Sequence, residues 1–455
     1  MKNMTLENIA KACGGTYHGM EADRIKEICD ITTDSRQAKA GSLFVAIKGE
    51  RVDAHRFIPA VFEQGALCVL CEDAPAQPKG AYIQVESTLQ AVKDIAEFYR
   101  QQFDIKVVGI TGSVGKTSTK EIIASVLSEK FQVLKTLGNF NNELGLPLTI
   151  FRLREGDEVA VLEMGINHFG EMHRLSKVAR PDVCVITNIG QCHLEFLGDR
   201  DGVLRAKSEI FDFVAPDGNI ILNGDDDKLA TLREIKGIKP IFFGNESGRA
   251  IYATDIRSAG IKGVWCNIHV GEECFEVMVP IPGYHMVLNA LAATAVGRSL
   301  DMTNEEIKRG IEKLESLSGR FHIIEANGIT VVDDCYNANP VSMKASLKVL
   351  NDAETRKTAI LGDMGELGEE EQQLHEEVGA YLGTLDIQTA VCIGPLAAHL
   401  AEAAKKVKPQ MQIFTAGSVE EAMEHLPEWI CKGDTILVKA SHFMHLQKIS
   451  RRNRV

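Results

Sequence analysis

The 455-residue sequence lacks any long apolar run, and it never approaches the ~18 consecutive apolar residues that a membrane-spanning helix needs. We therefore expect no membrane insertion. Charged and polar residues are spread along residues 1–13, which have no apolar h-region, so we expect no signal peptide. Positive charge is also scarce, because 50 Lys and Arg stand against 63 Asp and Glu. The net charge of −13 argues against a nucleic-acid partner.

The 11 cysteines are odd in number and scattered along the chain. Cys68 and Cys71 form a Cys-x-x-Cys pair inside an apolar run, and no second pair lies nearby to complete a zinc site. This pattern predicts reduced thiols and a cytoplasmic protein. The hydrophobic content of 45% and charged content of 25% are typical of a globular protein. The length predicts about three domains of ~150 residues each.

The most informative segment is the glycine-rich stretch over 109–117, which reads Gly-Ile-Thr-Gly-Ser-Val-Gly-Lys-Thr. An apolar run over 105–110 predicts a strand before it, and a helical pattern begins at Lys116. A strand, a turn and a helix N-terminus in this order place backbone N–H groups around a phosphate chain. Lys116 can reach the terminal phosphates and Thr117 can hold Mg²⁺, so the segment predicts binding of a nucleoside triphosphate. The alternative is a chance glycine-rich turn, because Ile110 stands where the usual P-loop has its first glycine.

Short apolar runs alternate with helical patterns over most of the chain, which predicts an α/β protein of three domains. We expect a small N-terminal α/β domain over 1–101. A central P-loop domain with a doubly wound, mostly parallel sheet is expected over 102–316, with an antiparallel appendage near 250–280. A Rossmann-like α/β domain is expected over 317–455.

Several polar residues follow predicted strands of the central domain, at the edge where open α/β sheets bind their ligands. Glu163 ends an apolar run and can hold Mg²⁺, although an acid at a strand end is also common as a solvated turn residue. His193 follows the next predicted strand and can be a metal ligand, a proton donor or a capping residue at the surface. Lys207 lies in a helical pattern and, on composition alone, is an ordinary lysine of an amphipathic helix.

A second group of polar residues surrounds the expected junction of the second and third domains. Asn289 precedes an Ala-rich helical pattern, and Arg320 lies at the junction itself. An arginine there suits a triphosphate held between two domains, because guanidinium binds phosphate bidentately. Asp333 and Asp334 end a predicted strand and precede two asparagines, an unusual density of polar groups even for a turn.

The order of these motifs resembles that of the Mur ligase family, whose members build the peptide stem of bacterial peptidoglycan. The ordered set spans the whole chain: Thr111-Gly-Ser-Val-Gly-Lys-Thr117, Glu163-Met-Gly165, His193, Ala206-Lys207-Ser-Glu209, Asn289, Gly319-Arg320-Phe321 and Asp333-Asp334. Segments 138–147, 336–340 and 361–368 are similar to the family branch that joins D-alanyl-D-alanine to UDP-N-acetylmuramoyl-tripeptide. Segments 33–36 and 41–46 resemble the family's UDP-muramoyl-binding domain.

The resemblance implies an ATP-dependent ligase. ATP would phosphorylate the terminal carboxylate of the tripeptide, and the amine of D-alanyl-D-alanine would then attack the acyl phosphate. The implied catalytic residues are Lys116, Lys207 and His193. The implied nucleotide-binding residues are Thr111, Gly112, Ser113, Val114, Gly115, Lys116 and Thr117, with Asn289 at the base, Arg320 at the γ-phosphate and Asp334 at the ribose.

The resemblance also implies two Mg²⁺ ions. Thr117 and Glu163 would hold one ion, and Glu163, His193 and Lys207 would hold the other. Because a lysine ammonium cannot bind a cation, Lys207 would carry a carbamate formed with CO₂.

The substrates implied by the resemblance are the UDP-linked tripeptide and the dipeptide. The implied substrate residues are Ser35, Arg36, Asn139, Asn141, Asn142, Tyr336, Asn337 and Asn339. Domain closure would bring Arg320 and Asp334 onto ATP and exclude water. We expect a monomer. One departure concerns Ala440 and His442, which stand where the family commonly has Gly and Arg; losing that Arg removes a permanent charge.

Two other functions remain open from the sequence. The preceding ligase of the same pathway adds a diamino acid and usually carries an Asp-Asn-Pro-Arg motif, but here Val341 follows Asn339-Pro340. A P-loop NTPase switch is the alternative from a different class. Such proteins usually end their second apolar strand in Asp, whereas this one ends in Glu163-Met-Gly.

Overall fold

The computed structural model describes residues 1–49 and 52–452, and this part of the chain contains three sheets covered by helices. Each range that the sequence predicts as a domain holds one of these sheets. Residues 50, 51 and 453–455 of the predicted first and third domains lie outside the described residues.

The first sheet has five strands in the order β1-β5-β4-β3-β2, all parallel to their neighbours except β1. Its strands are β1 (Thr16–His18), β2 (Asp30–Thr32), β3 (Ser42–Val45), β4 (Cys68–Cys71) and β5 (Ala81–Gln84). The helices of this region are α1 (Leu6–Ala12), α2 (Ile58–Glu63) and α3 (Thr88–Arg100). Every residue of β3 and β4 is buried, because helices cover both faces of the sheet.

The second sheet has nine strands in the order β14-β13-β12-β11-β10-β9-β6-β8-β7. Its strands are β6 (Lys106–Thr111), β7 (Val133–Lys135), β8 (Val159–Glu163), β9 (Val183–Ile186), β10 (Asn219–Asn223), β11 (Ile241–Gly244), β12 (Ile251–Ser258), β13 (Val264–Val270) and β14 (Glu273–Val279). The run from β7 to β12 is parallel, and β12, β13 and β14 form the predicted antiparallel appendage.

Seven helices accompany the second sheet in the described residues. They are α4 (Lys116–Leu127), α5 (Gly145–Ile150), α6 (Glu171–Ala179), α7 (Leu194–Leu197), α8 (Arg200–Ser208), α9 (Tyr284–Ser299) and α10 (Asn304–Glu312). Helix α9 is buried over most of its length and packs on α4, which carries the predicted phosphate-binding turn at its N-terminus. Its run of alanines lets the two helices approach closely.

The third sheet has six strands in the order β15-β16-β20-β17-β18-β19. Its strands are β15 (His322–Ala326), β16 (Ile329–Asp333), β17 (Lys357–Gly362), β18 (Thr389–Ile393), β19 (Gln412–Ala416) and β20 (Thr435–Lys439). The helices are α11 (Pro340–Asn351), α12 (Glu371–Gly383), α13 (Pro395–Val407), α14 (Val419–Trp429) and α15 (Gln447–Arg452). Strand β20, the last along the chain, pairs in parallel with both β16 and β17 in the middle of the sheet.

The α/β class, the parallel central sheet and its antiparallel extension agree with the sequence-based expectations. Strands β1, β2, β5, β7, β11, β15 and β19 were not predicted; each has at least one position that is not buried, which breaks up the apolar run. Helix α4 begins at Lys116 as predicted and ends at Leu127. Helix α9 begins at Tyr284, directly after Gly283, whose φ is 108°, and therefore includes Asn289 rather than following it. No helix in the described residues has the length and hydropathy needed to cross a membrane.

A buried histidine fixes the turn that follows β17. His375 on α12 is fully buried, and its Nε2 accepts a hydrogen bond from the Met364 N–H at 2.9 Å. Its Nδ1 lies 2.7 Å from the Glu371 carbonyl oxygen, so the neutral ring with a proton on Nδ1 satisfies both contacts. Burial lowers the pKa of His375, and the bond to the Glu371 carbonyl opposes that shift only in part.

This geometry predicts a pH-dependent contribution to stability. The pKa of His375 in the folded chain lies below the unfolded value of about 6.5, so the unfolded chain takes up the proton first as pH falls. The contribution is therefore fully present above about pH 6.5 and is lost as pH falls, by at most about 1.4 kcal/mol per pH unit. Urea unfolding at pH 7 and pH 5.5 should show a smaller pH effect in His375→Gln than in the wild type. The exposed His425 supplies the control, because His425→Gln should keep the wild-type pH dependence; equal slopes in all three proteins would contradict the assignment.

Candidate functional site

A cavity of about 530 Å³ lies where the carboxyl ends of the central strands face loops of the third sheet. Its walls contain most of the residues that the sequence predicts for a nucleotide site. Those that line it are Ser113, Val114, Gly115, Lys116, Thr117, Asn141, Glu163, Asn289, Arg320, Asp334, Tyr336, Asn337 and Asn339.

The turn between β6 and α4 depends on two glycines with positive φ. Gly112 has a φ of 153°, and a Cβ placed there would lie 2.0 Å from Thr187 Oγ1. Gly115 has a φ of 83° and directly precedes α4. Because a side chain is excluded at the first position and strained at the second, glycine is required for the turn to lie against the loop after β9.

That loop after β9 anchors the phosphate-binding turn from one side. Asn188 accepts a hydrogen bond from the Val114 N–H through Oδ1 and donates to the Val114 carbonyl through Nδ2, both at 2.9 Å. Ser113 Oγ accepts a bond from the Gly190 N–H at 2.8 Å. These three hydrogen bonds fix the conformation of the turn. Lys116 Nζ donates to the Gly112 carbonyl at 2.9 Å, and burial lowers its pKa.

Glu163 occupies the centre of the site. It is 2% exposed, and its Oε1 accepts bonds from Asn141 Nδ2 at 2.7 Å and from Thr117 Oγ1 at 3.2 Å. Its Oε2 is buried without a hydrogen-bond partner in the described residues. A carboxylate oxygen in that state is a suitable ligand for a hard divalent cation.

Lys120 lies one turn beyond Lys116 on α4 and is fully buried. Its Nζ donates to the Thr136 carbonyl at 2.8 Å and lies 2.9 Å from Glu121 Oε1 and 3.9 Å from Glu163 Oε2. Thr136 Oγ1 in turn accepts the Glu163 N–H at 3.0 Å. Lys120 therefore joins α4 to β8 and to the segment after β7.

His193 and Lys207 do not line the cavity, but they are electrostatically coupled to it. Lys207 is 1% exposed and has no ion-pair partner within residues 1–49 and 52–452. Burial, and then the charge of Lys116, lowers its pKa to about 7. Burial, and then Lys207 and Lys116, lowers the pKa of His193 to about 4. At neutral pH His193 is thus uncharged and able to act as a metal ligand.

The third sheet supplies the opposite wall. The Arg320 guanidinium lies 4.2 Å from the centre of the Tyr336 ring, and no described carboxylate lies within ion-pair distance of it. Asp334 Oδ2 accepts bonds from Lys439 Nζ at 2.6 Å and Ser346 Oγ at 2.7 Å. These contacts hold Asp334, which follows β16, against β20 and α11.

The asparagines of the predicted site differ in what they contact. Asn289 lies one turn into α9 and accepts a bond from Thr119 Oγ1 at 3.0 Å. Asn339 forms a capping box with Ser342 at the start of α11, and Asn337 Oδ1 accepts the Ala338 N–H at 2.9 Å. Asn142 Oδ1 accepts the N–H groups of Leu144 and Gly145 at 3.2 and 2.8 Å.

Several predicted site residues lie outside the cavity: Thr111, Gly112, Asn139, Asn142, His193, Lys207, Ser35 and Arg36. Thr111 ends β6 and is fully buried. Ser35 and Arg36 belong to a single 3₁₀ turn after β2, and Arg36 Nη2 lies 2.7 Å from Asp34 Oδ2. Arg36 holds the pKa of Asp34 at about 2. A substrate role for these two residues stays a prediction.

Sequence reasoning missed three residues of the site: Lys120, Asn188 and Lys439. A lysine in a helical pattern is usually exposed, yet Lys120 lies between Thr119 and Ile122 on the buried face of α4, a pattern that could have identified it. Asn188 lies two residues after β9 and Lys439 ends β20, both at the ligand-binding edge of their sheets, which was the available signal.

Comparison with protein families matches three consecutive regions of the chain. Residues 27–100 match the Mur ligase family catalytic domain, residues 110–297 the Mur ligase middle domain, and residues 319–442 the domain described as Mur ligase, glutamate ligase domain. Together the three matches include nearly every residue of the cavity wall.

Individual relatives match over almost the full length. The UDP-N-acetylmuramoyl-tripeptide–D-alanyl-D-alanine ligase of Bacillus subtilis is 36% identical, over 99% of this chain and 98% of its own. A crystal structure of MurF from Acinetobacter baumannii superposes with a TM-score of 0.90 at 34% identity, covering 99% of this chain and 98% of that one. MurF ligase from Thermotoga maritima in complex with ADP gives a TM-score of 0.82 at 31% identity, covering 93% and 97%.

The contacts of Lys120 predict its effect on stability. Lys120→Met should lower the free energy of unfolding by about 3 kcal/mol, because it removes a buried cation that lies beside the Glu163 and Glu121 carboxylates, of which only Glu121 keeps another lysine, Lys135. Urea denaturation measures this loss. Lys406→Met, which changes an exposed lysine of α13, is the matched control and should lie within about 0.5 kcal/mol of the wild type. Similar stabilities for the two variants would show that Lys120 does not hold the network.

Proposed function

The chain belongs to the Mur ligase family, and on that basis we propose how its cavity carries out the family's chemistry. The protein is an ATP-dependent ligase that joins D-alanyl-D-alanine to UDP-N-acetylmuramoyl-tripeptide in peptidoglycan precursor synthesis. The observation that carries the mechanism is a single cavity lined on one side by the phosphate-binding turn and on the other by Arg320 and Asp334.

The reaction has two steps, each with its own electrostatic need. The tripeptide carboxylate first takes the γ-phosphoryl group of ATP, which forms an acyl phosphate and releases ADP. The dipeptide nitrogen then bonds to the carbonyl carbon while the carbon–oxygen bond to phosphate breaks, and the nitrogen loses two protons in all. Negative charge gathers on the transferred phosphoryl group in the first step. Lys116, the amides of the turn and Arg320 are placed to neutralise it.

We assign magnesium to the residues around Glu163. Thr117 and Glu163 would hold one ion together with ATP phosphates, and Glu163, His193 and Lys207 would hold a second. The buried, unbonded Oε2 of Glu163 supports this assignment, as does the lowered pKa of His193, which leaves a nitrogen lone pair free. Bound Mg²⁺ supplies charge neutralisation at the phosphates.

Lys207 is the proposed carbamate. A lysine must be neutral to react with CO₂, and a pKa near 7 gives a large neutral fraction at physiological pH. Its burial, and its lack of an acidic partner in the part of the chain that the structure describes, support a modification that replaces a positive charge with a negative one. The product would offer oxygen ligands beside His193.

The remaining assignments concern nucleotide and substrates. Asn289, in the cavity wall, would face the base, Asp334 the ribose and Arg320 the γ-phosphate. Ser35 and Arg36 would contact the UDP-muramoyl portion. The peptide substrates would contact the segments that hold Asn139, Asn141 and Asn142 and, across the cavity, Tyr336, Asn337 and Asn339.

We propose that each of the three domains binds a different ligand. Residues 1–101 would bind the UDP-muramoyl group, 102–316 would bind ATP, and 317–455 would bind the incoming dipeptide. We propose that the enzyme works as a monomer in the cytoplasm, a setting that fits its 11 free cysteines.

The first test is the substrate dependence of phosphate release. Release from ATP should require both the UDP-linked tripeptide and D-alanyl-D-alanine, and the amide product should appear in equal amount. The same assay, run with tripeptides that differ in the third residue and with different incoming amines, also distinguishes this reaction from the one that adds a diamino acid. Strong release with neither substrate present would indicate an NTPase switch, and release with a free diamino acid in place of the dipeptide would indicate the preceding ligase.

The second test concerns Lys207. Lys207→Ala should lose at least about 100-fold in kcat, since it removes a ligand of the second ion, and short carboxylates such as acetate should restore part of the rate. The exposed Lys177 on α6 offers a control, because Lys177→Ala should keep the wild-type rate and gain nothing from acetate. Full activity of Lys207→Ala without added carboxylate would rule out the carbamate.

A further inference from the structure

The loop after β17 reaches from the third sheet to the catalytic end of the central sheet. Glu366 Oε2 on this loop lies 3.8 Å from His193 Nδ1, yet the Glu366 side chain is 79% exposed. His193 is one of the residues assigned above to the second Mg²⁺ ion. A solvent-accessible carboxylate therefore lies beside a proposed metal ligand of the site.

The backbone holds Glu366 in a fixed orientation. Glu366 has a φ of 60°, a conformation that residues other than glycine adopt only when the surrounding structure requires it. The Gly365 N–H donates to Ser441 Oγ at 2.8 Å, and the Met364 N–H donates to His375 Nε2. These bonds tie the loop to α12 and to the segment after β20, so the direction of Glu366 follows from the fold of the third sheet.

An apolar surface lies beside this carboxylate. The Phe443 ring is 58% exposed, and it packs so closely on Gly365 that a Cβ there would lie 2.8 Å from Phe443 Cε1. An aromatic ring with this much exposed area offers an apolar face against which part of a ligand can pack. Glu366 and Phe443 thus place a negative charge beside an apolar surface.

We propose that Glu366 binds the ammonium group of the incoming dipeptide and that the Phe443 ring packs against its methyl groups. This inference rests on the proposed function. The dipeptide arrives with a protonated α-amine at neutral pH, while the floor of the site carries the basic side chain of Lys116 and the opposite wall carries Arg320. An ammonium group is repelled by such a floor, so a carboxylate at its edge is needed to hold the nitrogen near the acyl phosphate. Glu366 thus selects a ligand whose α-amino group is not acylated, and it orients that group.

The test compares two ligands that differ only in the amine. D-alanyl-D-alanine is the substrate, and propionyl-D-alanine has the same methyl groups and carboxylate but no amine, so it serves as a competitive inhibitor. Glu366→Gln should raise the KM for the dipeptide about tenfold and leave the Ki for propionyl-D-alanine within about twofold. Phe443→Ala should weaken both ligands. The KM values for ATP, Mg²⁺ and UDP-tripeptide should stay at wild-type levels in Glu366→Gln.

Glu369→Gln, which neutralises an exposed carboxylate three residues further along the loop, is the matched control and should leave all constants unchanged. An unchanged dipeptide KM in Glu366→Gln would overturn the proposal, and so would an equal loss for both ligands, which would indicate a disturbed loop. A raised KM for Mg²⁺ would also overturn it, because Glu366 would then act through the metal site. A wild-type enzyme that ligates no dipeptide would instead contradict the proposed function, so the two failures are distinct.

Discussion

A buried carboxylate, Glu163, is the constraint on which the rest of the site depends. Its Oε1 accepts hydrogen bonds from Thr117 Oγ1, at the start of α4, and from Asn141 Nδ2, in the segment after β7. Its backbone N–H donates to Thr136 Oγ1. A charge that is 2% exposed would be very costly without such partners. Because those partners come from α4 and from the loop between β7 and α5, satisfying this one charge fixes the positions of both segments relative to β8.

Unlike Glu163, two of the basic residues of the cavity wall are not paired with groups of opposite charge in the described residues. Lys116 and Arg320 line the cavity and have no ion-pair partner in the described ranges, and burial lowers the pKa of Lys116. This unbalanced positive charge lies inside a protein whose net charge is −13. A polyphosphate is the ligand that restores the balance, and its binding energy would be greatest where protein counter-charges are absent. The acidic exterior and the cationic interior thus serve different purposes.

Much of this arrangement could be predicted from the sequence because its signals are local. The strand–turn–helix around Gly112 and Lys116 is contiguous, and the placement of Glu163 follows from its position at the end of a buried strand. The burial of Lys120 was signalled only by its place between Thr119 and Ile122 in a helical pattern, and its contact with Glu163 depends on how α4 packs against β8. The substrate role of Asn142 stays a prediction, and the structure adds that its side-chain oxygen accepts the N–H groups of Leu144 and Gly145, a local contact that the sequence does not state. The contact of Glu366 with His193 joins residues 173 positions apart and depends on how two sheets meet.

The position of β20 has a consequence for biosynthesis. This strand is the last of the third sheet to leave the ribosome, yet it lies between β16 and β17, and it ends in the lysine that binds Asp334. Until β20 is inserted, β16 and β17 have no shared partner and Asp334 has no counter-ion. Vectorial folding from the N-terminus can complete the first two sheets early, but the third must wait for a late, non-local step. A chain terminated before residue 439 would therefore lack the completed third sheet that holds Arg320 and Asp334 in the cavity wall.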